Sequence, residues 1–451
     1  MRRFFRALAA AAAVVALSTT AACGRDADPA DAARTLTVAA VDNGDLDRLR
    51  DLTQTFTDAH PGTRIEWVRQ GENEIREMIS TDVGTEGGRF DVVTIGPFEA
   101  RIWGERQLLT PLTDMPAGFD PNQFVPAVRD SVSHGGQLQA APFYGESAFT
   151  MYRRDLFAQA GVTMPDQPTW QFVIDAAQRV AQTTGVPGIC LRGQAGWGEN
   201  MAFVTAMAHS YGALWFDDQW RAQLNTPQWQ RTVQDYLTLA RSAPPSVADN
   251  GFAENLALFQ QGQCAMWIDA TSAASFVVDP THSSVADQVG FAMAPASSQA
   301  GEPMSWLWTW ALAVPTNSDN PQLAKEFVAW ATSAEYQRLA ASHYGPAGVP
   351  PGARSDLYAD PAYTQVAPYA PLVLASIERA DVAQSAPGAP YEGAQYVAVA
   401  PFTSIGNAVG QQLNQAIRGE ISEAEALENS QWVADRVIEQ TRLMADQANG
   451  N

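Results

Sequence analysis

Apolar positions along the chain change their period several times, and each change marks an element. Leu36–Val41 is an apolar run of strand length. Asp45–Ala59 follows with Leu46, Leu49, Leu52 and Phe56 on one helical face, until His60-Pro61-Gly62 stops it. Arg64–Val68 alternates polar and apolar residues and suits a second strand. Glu72–Thr81 reads as a helix, and Phe90–Ile95 as a buried strand ending at Gly96-Pro97. Strand, helix and strand at this spacing predict a βαβ unit of a mostly parallel sheet. The pattern recurs beyond Tyr144, with a helix over Thr169–Gln182 and a strand over Gly188–Leu191 that runs into a glycine-rich loop, Gly193 to Gly198. Phe252, Leu256 and Phe259 share a helical face that ends at Gly262; Cys264–Ile268, Gly290–Ala294 and Trp310–Val314 are further strands. Asn320-Pro321 is an N-cap and first-turn pair for a helix to Thr332, and Ser422 with Glu425 forms a capping box for the C-terminal helix. Gly345–Gly352 and Ala386–Gly393 are loops.

Ahead of these elements, Arg2, Arg3 and Arg6 precede an apolar stretch from Ala7 to Leu17, followed by Thr20-Ala21-Ala22-Cys23-Gly24. A positive start, a short apolar core and small residues at a cleavage point predict a secretory signal over residues 1–22. Its core is too short to cross a bilayer as a stable helix. Ala-Ala-Cys also ends a bacterial lipobox, with Thr20 where a bulky aliphatic residue is usual; Cys23 would then carry lipid, with residues 23–34 as a tether. The plainer alternative is a signal peptide cut before a chance cysteine. With lipidation, the chain is expected to be exported and anchored on the extracytoplasmic face of the cell membrane.

The roughly 420 residues that remain exceed what one core usually spans, so two lobes are expected. A net charge of −21 argues against nucleic acid, phosphorylated ligands and anionic headgroups. Cys190 and Cys264 either bond to each other, which the oxidising compartment allows, or stand as two separate buried thiols.

Most signatures of catalysis are missing. The five histidines are scattered with no metal-ligand spacing, and neither a metal nor a cofactor is expected. Gly145-Glu146-Ser147 lacks the second glycine of a nucleophile elbow, and the glycines at 193, 196 and 198 do not make a phosphate loop. Glu146, Glu199 and Asp269 are loop carboxylates; a glycosidase using Glu146 and Glu199 is one reading, and acids that hold the hydroxyls of a bound carbohydrate are the other. The richer signal is aromatic. Tyr144, Trp197, Trp306, Trp308 and Trp310 lie at strand ends or in loops beside polar residues. In Gly196-Trp197-Gly198-Glu199-Asn200, glycines let the backbone approach a ligand while indole, carboxylate and amide share one loop. A flat ring packs on the C–H face of a sugar or polyol, and paired polar groups satisfy its hydroxyls. Alternation puts Trp306, Trp308 and Trp310 on one face, where Trp306 and Trp310 serve equally well as core.

On these loops the chain resembles the extracellular solute-binding lipoproteins of ABC importers, and within them the sorbitol/mannitol (polyol) branch. The resemblance is carried by Phe90–Gly96, Ala141–Ser147, Gly188–Gly193, Gly196–Phe203, Asn255–Ala270, Trp306–Trp310 and Gln395–Ala398, and spans nearly everything after Arg34. It implies an α/β, two-lobed periplasmic-binding-protein type II fold, each lobe a mostly parallel sheet flanked by helices, with a hinge between. The implied lobes are 36–145 plus 296–316, and 146–295 plus 317–451. Carried over by matching position, a polyol or related small sugar would meet Asn43, Asp45, Glu72, Asn73, Phe98 and Glu99 on the first wall. Tyr144 and Glu146 would lie at the hinge, with Arg192, Trp197, Glu199, Asn200 and Asp269 opposite and Trp308 and Gln395 closing the end. The implied partners are permease subunits and the membrane through the lipid; the implied state is a monomer that does no chemistry.

Overall fold

The apolar run near the start of the chain becomes β1 (Arg34–Val41) in the computed structural model, which describes residues 34–383 and 386–448. The predicted signal segment, Cys23 and the tether up to residue 33 lie outside the described residues. β2 (Thr63–Gln70) and β3 (Val92–Ile95) flank β1 in parallel, with helices Gly44–Asp51, Thr53–Ala59 and Glu72–Gly84 between them. The single helix predicted over 45–59 breaks at Leu52. There the Leu52 amide bonds back to the Leu49 carbonyl at 3.2 Å, and the Thr53 hydroxyl donates to the Arg50 carbonyl at 2.6 Å. Such back-bonding by a threonine tightens a turn and bends the helix there.

After the short hairpin of β4 (Ser133–His134) and β5 (Gln137–Leu138), β6 (Ala141–Glu146) returns to the first sheet, and β7 (Ala148–Arg153) begins the second. Ser147 alone separates them, so the chain crosses between lobes within one residue. The Ser147 amide donates to Thr271 Oγ1 at 3.1 Å, and the Thr271 amide donates to the Ser147 carbonyl at 2.7 Å, which fixes the crossing. β8 (Met266–Ala270) and β9 (Val289–Met293) pair on either side of β7; the chain then crosses back, and β10 (Trp308–Ala313) enters the first sheet. The sheets have the orders β2-β1-β3-β10-β6 and β8-β7-β9.

The first sheet is mostly parallel, with β10 alone reversed against β3 and β6. The second corrects the expectation of a second parallel sheet, because β8 and β9 both run antiparallel to β7. The predicted strand over 188–191 is reduced to a bridge between Cys190 and Trp267, held by the Cys190 amide on the Met266 carbonyl at 2.7 Å. Cys190 and Cys264 are bonded with Cα atoms 5.6 Å apart, which decides between the two readings of the pair.

Helices cover both sheets by periodic faces. Helix Trp170–Thr184 buries Trp170, Val173, Ile174, Ala177 and Val180; Thr169 Oγ1 accepts from the Phe172 amide at 3.2 Å, and Gly185 at φ 75° ends it. Pro321 opens helix Pro321–Ala331 as predicted, but Asn320 does not cap it. Its side chain instead donates to the Thr35 carbonyl at 3.1 Å, tying the helix to β1. Phe327 on that helix stands edge-on to Phe56 and Trp67 at 5.3 and 6.2 Å, so this helix packs on the first lobe, inside the range the sequence reading gave to the second. Helix Phe402–Ile417 packs on Asn200–Ser210 and Pro227–Ala240 of the second lobe, and the Ser422–Glu425 capping box opens helix Glu423–Ala448. Among the described residues no helix is long and apolar enough to cross a membrane.

Candidate functional site

The carboxyl ends of β1 and β6 and the N-terminus of helix Glu72–Gly84 face the loop Arg192–Glu199 of the second lobe across a cavity of about 290 Å³. Tyr144 and Glu146, on β6, reach it from the crossing. Asn43 Nδ2 donates to the Tyr144 hydroxyl at 2.9 Å, so the end of β1 orients the phenol. Burial, with Glu146 near, holds the Tyr144 phenol well above its ordinary range, so it enters the cavity as a neutral donor.

Two guanidiniums stand in the wall, and both are already matched. Arg192 gives Nε and Nη2 to the two oxygens of Asp269 at 2.8 and 2.7 Å, and Nη1 to the Gly198 carbonyl at 3.0 Å. This fork on a carboxylate is the strongest pairing available to arginine. Burial alone would lower the Arg192 pKa, but Asp269 outweighs it and the group is held above its ordinary value. Arg76 gives Nε and Nη2 to Glu72 Oε1 at 3.0 and 2.9 Å and Nη1 to Glu99 Oε1 at 2.7 Å.

Glu199 shares Arg192 with Asp269, accepting from Nη1 at 3.4 Å, whereas Glu146 is held by a hydroxyl. Burial pushes Glu146 from the ordinary 4.5 up to about 8, although the Ser272 hydroxyl donates to Oε2 at 2.6 Å. Burial, and then the nearby charge of Glu72, pushes Glu199 up to about 8 as well. Both are thus shifted toward the neutral form, which can donate as well as accept. The wall offers paired cations, acids shifted toward neutral, a phenol and amides, which suits an uncharged, hydroxyl-rich guest.

The aromatic side is formed by Trp197, Trp306, Trp308 and Trp310, all buried and all lining the cavity. Trp197 and Trp308 lie 5.9 Å apart at 66°, and Trp308 and Trp310 5.8 Å apart at 72°. Glycine is required where these rings and the facing lobe press close. A Cβ on Gly96 would sit 1.9 Å from the Trp308 ring, and one on Gly198 would sit 2.3 Å from Glu72 Oε1. The indole nitrogens of Trp306 and Trp308 and the Gln395 amide nitrogen are buried without a partner among the described residues. Native interiors seldom leave such donors unmet. All three belong to residues that line the cavity.

The comparison with known proteins bears directly on this cavity. The family model for bacterial extracellular solute-binding proteins matches residues 42–338. The chain belongs to that family. A mannitol-binding protein of Pseudomonas aeruginosa is 44% identical to this solute-binding protein over 405 residues, 89% of this chain and 92% of the relative. The crystal structure of an ABC transporter solute-binding protein from Agrobacterium vitis S4, with bound D-mannitol, is 48% identical with a TM-score of 0.88, covering 91% of this chain and 99% of that one. A solute-binding protein of Agrobacterium radiobacter K84 in complex with ribitol is 21% identical at a TM-score of 0.79, over 90% and 98% of the two chains, and speaks for the fold alone. The two-lobed type II fold expected from the sequence is thus the fold observed.

Of the residues expected at the site, the solute-binding protein places Asn43, Glu72, Tyr144, Glu146, Arg192, Trp197, Glu199, Trp308 and Gln395 around the cavity. The other six lie outside its lining. Asp45 turns to Arg48 at 3.5 Å and is raised to about 6 by burial. Asn73 reaches across to the Ala195 carbonyl at 3.3 Å in a neighbouring groove. Phe98 backs Trp197 at 5.1 Å, and Glu99 holds Arg76. Asn200 ties the Gly196 amide to the Gly410 carbonyl at 3.2 and 2.9 Å, shaping the loop from behind. Asp269 acts through Arg192. Sequence reasoning missed Arg76, whose only local signal is its place one turn after Glu72. It also left Trp306 and Trp310 between core and site, and both line the cavity.

Proposed function

We propose that this solute-binding protein captures an acyclic sugar alcohol of the mannitol type between its lobes and delivers it to the permease subunits of an ABC importer. The observation that carries the reading is a cavity walled by four indoles, whose guanidiniums are paired with carboxylates and in which burial shifts Glu146 and Glu199 toward the neutral form. The cavity volume of about 290 Å³ sits at the lower end of the range for small-molecule sites, as one small ligand requires. The mannitol-binding relative and the mannitol-bound structure, each more than 40% identical, support the same guest. Trp197 and Trp308 present ring faces to its carbon chain, while Glu146, Arg192, Glu199, Tyr144 and Gln395 pair with its hydroxyls. The protein does no covalent chemistry, and lipid on Cys23 holds the monomer at the outer face of the membrane.

Titration calorimetry with mannitol, sorbitol, arabinitol and xylitol tests the assignment. Heat from at least one polyol at a single site is expected. Heat from a disaccharide alone would replace the polyol by an oligosaccharide. Turnover of chromogenic glycosides, lost on Glu199→Gln, would replace binding by catalysis. Cys23→Ser should release the chain from membranes; an unchanged membrane fraction would remove the lipid anchor.

A further inference from the structure

Arg76 sits where an aromatic cage would ordinarily hold a ligand's cation. Its Cζ lies 4.4 Å from the Trp197 ring centre and 4.8 Å from those of Trp308 and Trp310. Trp308 stands at 66° to Trp197 and at 72° to Trp310, and the guanidinium lies over all three rings. Glu72 and Glu99 take three of its N–H groups, which fixes the plane of the fork within the first lobe. Burial alone would lower its pKa, but the two carboxylates outweigh burial and hold it above its ordinary value.

The elements that meet here come from both halves of the molecule. Helix Glu72–Gly84 and β10 belong to the first lobe, whereas Trp197 belongs to the second, where its amide donates to Asn407 Oδ1 at 2.9 Å. A cation over an indole face is favoured most when both are desolvated, as they are here. Trp197 therefore gains its contact with Arg76 only when the lobes are together, beside its packing on Phe98 and Trp308.

We propose that Arg76 is the positioning residue of the polyol site: its guanidinium is the seat on which Trp197 docks as the lobes close, and it fills the cage so that the indoles serve a neutral guest. The inference rests on the polyol reading above and adds to it the residue that couples closure to the aromatic wall. Lysine cannot replace it, because an ammonium lacks the planar fork that spans Glu72 and Glu99 while lying against the rings.

The test compares wild type, Arg76→Ala and Arg76→Lys by mannitol titration of the full chain, with and without millimolar guanidinium chloride and with sodium chloride at matched ionic strength. Wild type is titrated first; if it binds no polyol, the functional reading fails by itself. Given binding, Arg76→Ala should weaken affinity by about 30-fold or more, the worth of a desolvated cation–π contact. Guanidinium, but not sodium, should restore most of the loss by entering the vacated cage. Arg76→Lys should be weakened and indifferent to guanidinium, since its own ammonium blocks the seat. Wild-type affinity in either variant overturns the proposal, as does a folded Arg76→Ala whose loss guanidinium leaves unchanged. If Arg76→Ala fails to fold, Arg76→Lys decides: weakened affinity with an intact thermal transition supports the role, and undiminished affinity removes it.

Discussion

Single side chains in the cavity divide by whether they need their charge. Glu146 is raised to about 8 by burial, against the Ser272 hydroxyl that donates to it, so burial favours its neutral form. Glu146→Gln keeps shape and neutrality and should hold mannitol affinity within about tenfold, the ordinary worth of one neutral hydrogen bond. Glu146→Ala removes the partner of Ser272 and should cost more than the amide; equal loss in both variants, measured by calorimetry, would mean that the ionised form is needed. Asp269 is the opposite case. Asp269→Asn removes the two-point partner of Arg192 and leaves it the longer contact with Glu199, which should lower stability to denaturant by up to about 3–5 kcal/mol. A loss near zero would show that Glu199 alone is a sufficient partner for Arg192. Gly96 has extended backbone at φ −113°, so Gly96→Ala acts only through the clash of its Cβ with Trp308. Weakened mannitol binding is expected, and unchanged binding would show that the indole's place is unimportant.

At the scale of elements, the sequence made the first lobe legible and the second less so. β1, β2 and β3 with their helices followed from runs of apolar residues and from the stops at Pro61-Gly62 and Gly96-Pro97. The antiparallel second sheet was hidden because β8, buried along its whole length, reads as the same continuous run that a parallel strand shows. Nine of the fifteen expected site residues line the cavity, since strand ends and glycine-flanked loops announce themselves locally. Arg76 did not, because what defines it is three indoles more than a hundred residues away in sequence. Asp269 and Glu99 were visible as acids, but their direction, toward Arg192 and Arg76, is a tertiary fact. The Cys190–Cys264 bond closes a loop of 74 residues beside β8 and should contribute about 4 kcal/mol. Cys190→Ser with Cys264→Ser should lower the denaturation midpoint accordingly while mannitol still binds; an unmoved midpoint would show that the bond constrains nothing.

For the whole molecule, closure gathers acids into a shared, poorly solvated space, and stability must follow pH in a definite direction. Glu146 and Glu199 are raised from 4.5 to about 8, so between those values the folded chain holds more protons than the unfolded one. Stability then falls as pH rises through this window, with a slope of up to about 1.4 kcal/mol per pH unit for each group. His209, lowered from 6.5 to about 4 by burial, works the other way, adding stability as pH rises from 4 to 6.5. The range from 6.5 to 8 isolates the carboxyls from His209, and the thermal midpoint of the ligand-free protein should fall across it. A flat or rising midpoint would mean that the two acids are ionised in the folded state. The central claim, that both lobes surround one neutral polyol against an indole wall, is tested most directly by a crystal structure of the chain grown with D-mannitol. The account predicts the polyol against Trp197 and Trp308, its hydroxyls paired with Glu146, Arg192 and Gln395. Mannitol bound anywhere else, or to one lobe alone, would contradict it.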